Sequence, residues 1–189
     1  MTHQTTEPLD RSQLTQASTA GYALVTEYHE GALLLDAPYQ RGSVWTNDQR
    51  LGLIRSWLRE LPIPAIILND RREGQWLTED GSYDFTIAVV DGRQRIETAI
   101  AWFDSNLAVP ASWFPAEQVV RTVETADGPY VTFDGLSIEA QRFVKRLFRF
   151  PVASASVPSL ADEASIYLLV NGAGTAQTQD DLDNARAHV

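Results

Sequence analysis

Apolar positions fall into short runs separated by polar or proline-containing segments, and their spacing predicts strands and helices mixed along the chain. Residues 1–20 are rich in Thr, Gln and Ser, which offers little apolar surface to bury and predicts a loose leader ahead of one domain over 21–189. Residues 22–28 fit a strand or a short helix equally. Residues 31–36 hold the run Ala-Leu-Leu-Leu of a short buried strand. Beyond a loop over 37–45, Thr46 or Asn47 caps a helix running to about Leu61. That helix presents Leu51, Ile54, Trp57, Leu58 and Leu61 on one face, and Pro62 and Pro64 end it. Residues 65–68 form a second buried strand, followed by a polar excursion over 69–84 in which Trp76 and Leu77 suggest an edge strand.

The strongest local pattern follows. The β-branched run over 85–90 reads as a buried strand. It stops at Asp91-Gly92, and helical spacing then follows through Ile96, Ala99, Ile100 and Phe103. Residues 106–118 read as loop and short turns. Residues 119–124 and 129–133 flank Ala126-Asp127-Gly128, a hairpin signature. Ser137 caps a helix over 138–148 with Phe143, Leu147 and Phe148 facing inward. A strand over 150–157, a helix over 161–170, a glycine loop over 171–175 and a last helix over 179–187 complete the chain. Few βαβ signals occur, so the class is α+β.

Composition narrows the chemistry. A net charge of -10 argues against wrapping nucleic acid, although it leaves room for a small basic cleft. Without cysteine there are no disulfides or thiolate metal sites, and His3, His29 and His188 share no ligand spacing. Residues 1–18 lack the apolar core of a signal peptide, and no apolar run approaches the roughly 20 residues that span a bilayer. A cytoplasmic protein without membrane partners is expected. No Walker-type loop and no Gly-x-Ser-x-Gly occurs.

The turn at Asp91-Gly92 joins a carboxylate and two guanidiniums to a helix start, where unpaired amides and the helix dipole favour anions. Phosphate is the leading candidate. Asp91 suits Mg²⁺ or a water at a phosphoryl group, or it caps the helix. Gly92 permits close backbone approach, or simply a turn. Arg93 and Arg95 fan to different sides, one for phosphate and the other for an ion pair with Asp91, Glu97 or Asp104. Glu97 pairs with Arg93 one helical turn away, or acts as a general base. Tyr39, Gln40 and Arg41 offer a stacking ring, an amide and a bidentate phosphate donor, set against a core role for Tyr39. Trp45 reads as a packing anchor. Asn171 and its glycines close over a ligand or cap a helix.

Taken together, Pro38-Tyr39-Gln40-Arg41, Val44-Trp45, Leu61-Pro62-Ile63-Pro64 and Val90-Asp91-Gly92-Arg93-Gln94-Arg95 resemble the N-terminal domain shared by GmrSD-type restriction proteins, in the ParB/sulfiredoxin-like superfamily. The segments around 171–175 and Asp181-Leu182-Asp183-Asn184-Ala185 extend the likeness across roughly residues 30–186. The resemblance implies a ParB/sulfiredoxin-like mixed sheet with flanking helices. It also implies that an Asp-Gly-Gln-Gln-Arg motif contacts nucleoside triphosphate (NTP) phosphates or a DNA backbone. Family members hydrolyse NTPs or sense modified DNA, often controlling a fused HNH nuclease domain. Asp91, Gly92, Gln94 and Arg95 match the motif, whereas Arg93 replaces its usual first glutamine. Glu97 stands where threonine is common, and Leu169 where an arginine often precedes the asparagine. With Val189 as the last residue, no nuclease domain is expected. The expected function is NTP binding with Mg²⁺-dependent hydrolysis or phosphoryl transfer, linked to phage or restriction biology. The alternative is a non-catalytic module that senses DNA backbone or binds a defence protein.

Overall fold

A computed structural model describes residues 14–172, apart from 41, 43, 73–75, 79, 80 and 83. In chain order the elements are β1 (Thr15–Ala20), α1 (Gly21–His29), β2 (Leu33–Leu34), α2 (Asn47–Leu58), β3 (Ile66–Asp70), β4 (Ile87–Asp91), α3 (Arg93–Phe103), β5 (Val109–Pro110), β6 (Val123–Thr125), β7 (Gly128–Val131), α4 (Ile138–Leu147), β8 (Arg149–Ala155) and α5 (Leu160–Gly172). The main sheet has the order β1-β8-β3-β4-β2, with β3/β4 and β1/β8 antiparallel and β3/β8 and β2/β4 parallel. A small sheet, β5-β7-β6, stands apart from it. The fold is α+β, as the element pattern predicts.

Alternation along the strands sorts the core into two faces. Ile66, Leu68, Val89, Phe150 and Val152 meet residues of α1 to α4, including Trp57, Trp102 and Phe148. Ile67, Val90 and Ala155 face the other way, against Tyr39 and the α5 residues Ala164, Ile166 and Tyr167. The sheet is thus covered on one face by four helices and on the other by α5. Trp57 stacks on Phe148 with centroids 4.7 Å apart, and its indole donates to the Arg149 carbonyl at 3.0 Å, which joins α2 to the start of β8.

Local signals place most elements. Thr46 caps α2 in a reciprocal capping box with Gln49, and Ser137 caps α4 by accepting from the Ala140 amide. Several expectations change. Thr15–Ala20, placed in the leader by composition, forms β1, because β8 supplies a backbone partner that polar side chains do not prevent. Residues 22–28 are helical. Helix α2 stops at Leu58: Glu60 turns left-handed, and the Leu61 amide bonds back to the Ser56 carbonyl. Leu61 therefore leaves the apolar face and is 46% exposed. Phe143 is 49% exposed, since the inward stripe of α4 runs through Ala140 and Val144, about 100° around the helix from it. Trp76 and Leu77 make no strand beyond a single bridge at Leu77, and residues 109–110 of the expected loop pair with β7. Helix α5 runs through Asn171 to Gly172, so these two residues are helical; the rest of the predicted glycine loop and the helix over 179–187 lie outside the described residues. No helix among the described residues is long and apolar enough to cross a membrane.

Candidate phosphate cleft at the end of strand β4

Strand β4 carries an irregularity just before its last residue. Leu68 pairs with Val89 but Ile67 pairs with Asp91, so Val90 is an extra residue on β4. Strict alternation would send Asp91 toward the side of Val89, into the main core. A bulge breaks the alternation, and Val90 and Asp91 both border an open cleft. Gly92 follows in the left-handed region with φ +100°, as the N-cap of α3. No side chain caps this helix and no acid stands in its first turn, so its positive end is left for an external anion.

The cleft has a volume of about 170 Å³ and is bordered by Gln40, Trp45, Val90, Asp91, Gly92, Arg93, Gln94, Arg95, Tyr167 and Asn171. Sites for drug-sized ligands run to about 300–1,000 Å³, so this space holds part of such a molecule. Arg95 Nη2 donates to Asp91 Oδ2 at 2.7 Å and to the Ala65 carbonyl at 3.2 Å. Arg93 donates through Nε to Glu97 Oε1 at 2.7 Å. Both arginines thus carry an ion pair to a carboxylate four residues away in sequence. Gln40 Nε2 donates to the carbonyls of Val89 and Val90, the second at 2.9 Å, beyond the point where β2 stops pairing at Leu34↔Ala88. Its Oε1 and the Arg95 Nε are buried with no hydrogen-bond partner.

The cleft therefore gathers Gln40, Asp91, Gly92, Arg93, Gln94, Arg95 and Asn171 from the predicted set. Three placements differ from expectation. Tyr39 is fully buried, its ring 5.6 Å from that of Tyr167 and its hydroxyl donating to Glu163 Oε2 at 3.1 Å. Burial, reinforced by the Glu163 carboxylate, pushes that hydroxyl well above the usual tyrosine range. It is a core residue and not a stacking ring. Glu97 borders a neighbouring cavity of about 450 Å³ with Leu33, Leu35 and Ile100, and not this cleft. Trp45, expected only to anchor packing, also borders the cleft. Arg41 lies outside the described residues.

Sequence reasoning missed what holds α5 in place. Glu163 is completely buried beneath Tyr39, Asn69 and Arg71. Its Oε1 accepts from Asn69 Nδ2 at 2.7 Å and Arg71 Nε at 2.8 Å, and its Oε2 accepts from Arg71 Nη2 at 2.6 Å as well as from Tyr39. The Arg71 guanidinium lies 4.0 Å over the Trp76 ring, whose indole donates to the Val157 carbonyl at 2.9 Å. Glu163, Tyr167 and Asn171 recur every four residues on one face of α5. The network thus fixes the helix face that walls the cleft, and the Asn171 amide donates to the Tyr167 carbonyl at 3.0 Å. The only available signal was the acidic pair Asp162 and Glu163 in the first turn of a largely apolar helix.

A family model described as GmrSD restriction endonuclease, N-terminal domain, matches residues 22–186. Comparison with curated proteins and with solved structures returns no match.

Proposed function

The chain belongs to the family of GmrSD restriction endonuclease N-terminal domains, and from that membership we propose that it binds a nucleoside triphosphate at the Asp91–Arg95 turn and hydrolyses or transfers its phosphoryl group. The observation that carries this reading is the joining, by one bulge and one left-handed glycine, of a carboxylate, two guanidiniums and an uncapped helix start at a single cleft. The first amides of α3 and the terminal nitrogens of Arg93 donate hydrogen bonds to the phosphate oxygens. Arg95 fixes the Asp91 carboxylate, which orients the attacking water or hydroxyl. Glu97 sits off the cleft and takes no part as a base.

Groups of three or more His, Asp or Glu able to hold a metal are absent among the described residues. A single carboxylate still fits Mg²⁺, which commonly binds one or two carboxylates and takes its other ligands from phosphate oxygens and water. Asp91 is the residue that would hold it. When bound, the ion neutralises charge on the phosphate oxygens.

Calorimetry with ATP, GTP and CTP tests the reading. Wild type is expected to bind at least one of them with Mg²⁺. Arg93→Ala should weaken binding by roughly tenfold or more, the worth of a charge-assisted hydrogen bond to phosphate. Asp91→Ala removes a negative charge from the cleft, so it should keep Mg²⁺-free binding while losing phosphate release. Wild type that binds none of the three nucleotides sinks the reading. A second reading, a non-catalytic module gripping one DNA backbone phosphate, is favoured by the small cleft volume. A salt-sensitive gel shift with DNA that nucleotide leaves unchanged would promote it.

A further inference from the structure

Gln94 carries the motif's amide, and three of its hydrogen bonds reach the loop at Gly42, Val44 and Trp45. Its Oε1 accepts from the amides of Val44 and Trp45, each at 3.1 Å, and its Nε2 donates to the Gly42 carbonyl at 3.4 Å. One side chain in the first turn of α3 thus ties down backbone some 50 residues earlier in the chain. The residue so held is Trp45. Trp45 is half-buried, packs against the main core and also borders the cleft. A ring supported on one side and facing a ligand space on the other is pre-organised for stacking, because little side-chain freedom is lost when a second ring arrives. Tyr39, the expected stacking residue, is committed to the core by its bond to Glu163. The volume of the cleft also leaves a base outside the phosphate end, where a wall is needed.

We infer that Trp45 is the stacking wall for a ligand's aromatic base and that Gln94 is its positioning residue, so the cleft selects nucleoside triphosphates over bare polyphosphate. The inference rests on the reading of the cleft as a polyphosphate site. It specifies the ligand class further: every base has a π-face, so stacking on Trp45 favours a nucleotide without choosing strongly among bases.

The test is calorimetry with ATP, GTP, CTP and inorganic tripolyphosphate, each with Mg²⁺, on the full chain. Wild type should bind the nucleotides more tightly than tripolyphosphate, by roughly tenfold or more, as one base–aromatic stack supplies. Trp45→Ala should bring that ratio close to one, and Trp45→Phe, which keeps a smaller ring and guards against an unfolded variant, should retain part of it. Gln94→Met, similar in size but unable to make the three bonds, should lower the ratio. In a Trp45→Ala background it should lower it no further, since positioning acts only through the ring. A wild type that binds tripolyphosphate as tightly as nucleotide overturns the inference and leaves the polyphosphate reading standing. So does a ratio unmoved by Trp45→Ala, or a Gln94→Met effect that adds in full to it. Binding of neither ligand class overturns the polyphosphate reading together with the inference.

Discussion

Glu163→Ala should lower the stability of the fold by about 3–5 kcal/mol and its thermal midpoint by roughly 10 °C or more. The size follows from what is left behind. Arg71 is buried, its guanidinium making two bonds to Glu163, and without that carboxylate it becomes an uncompensated buried charge. The Tyr39 hydroxyl loses its acceptor in the same step, whereas Asn69 keeps its bonds to the Val157 amide and carbonyl. Glu163→Gln should be little better, because an amide nitrogen would face donors. Pairing Glu163→Leu with Arg71→Met should recover much of the loss, since removing both charges removes the unpaired one. Thermal denaturation of the three variants reads this directly. A Glu163→Ala midpoint within a few degrees of wild type would contradict the assignment of this network as the anchor of α5. Ligand affinity should fall with the single variant too, as Tyr167 and Asn171 lose the fixed helix face that brings them to the cleft.

Gly92→Ala should be comparably severe, at roughly 2–5 kcal/mol, the sum of left-handed strain and overpacking. An added Cβ there would lie 2.4 Å from Ile66 Cγ2 and 2.8 Å from Ile66 Cβ, with Arg95 Nη2 at 3.1 Å. Ile66 is fully buried and paired in β3, so it has little room to give way. The turn must move instead, carrying Asp91 and the first amides of α3 out of register, and nucleotide binding should be lost. Gly128→Ala is the matched control. Its φ of +108° brings similar strain, but nothing lies within 4 Å of the added carbon. It should cost about 1–2 kcal/mol and leave ligand binding intact, because it sits in the β6–β7 hairpin. Thermal unfolding and calorimetry on both variants decide the matter. Equal losses of stability and binding in the two would refute the claim that close approach at Gly92 shapes the cleft.

Much of this protein is written in neighbouring residues. The strand, the Asp91-Gly92 turn and the amphipathic helix after it are local, and so are the caps at Thr46 and Ser137 and the hairpin at Asp127. Each depends on side chains within a few positions, so each was legible from the chain alone. The pairing of Arg93 with Glu97 belongs to the same class, being one helical turn long.

The remaining features depend on groups far apart in the chain. Composition places Thr15–Ala20 outside the fold, but β8, more than a hundred residues later, pairs with it. Tyr39 lies in the core because Glu163 accepts from its hydroxyl, while Trp45 borders the cleft with its backbone amide bonded to Gln94. The Asp91-Gly92 turn gains its aim from a single extra residue, Val90, which is visible only once β3 is paired alongside. Sequence by itself thus determined that a carboxylate, a glycine and two arginines meet at a helix start. Only the tertiary structure decided which way they point and which aromatic ring joins them, because direction is set by strand register and by buried hydrogen bonds that no local pattern encodes.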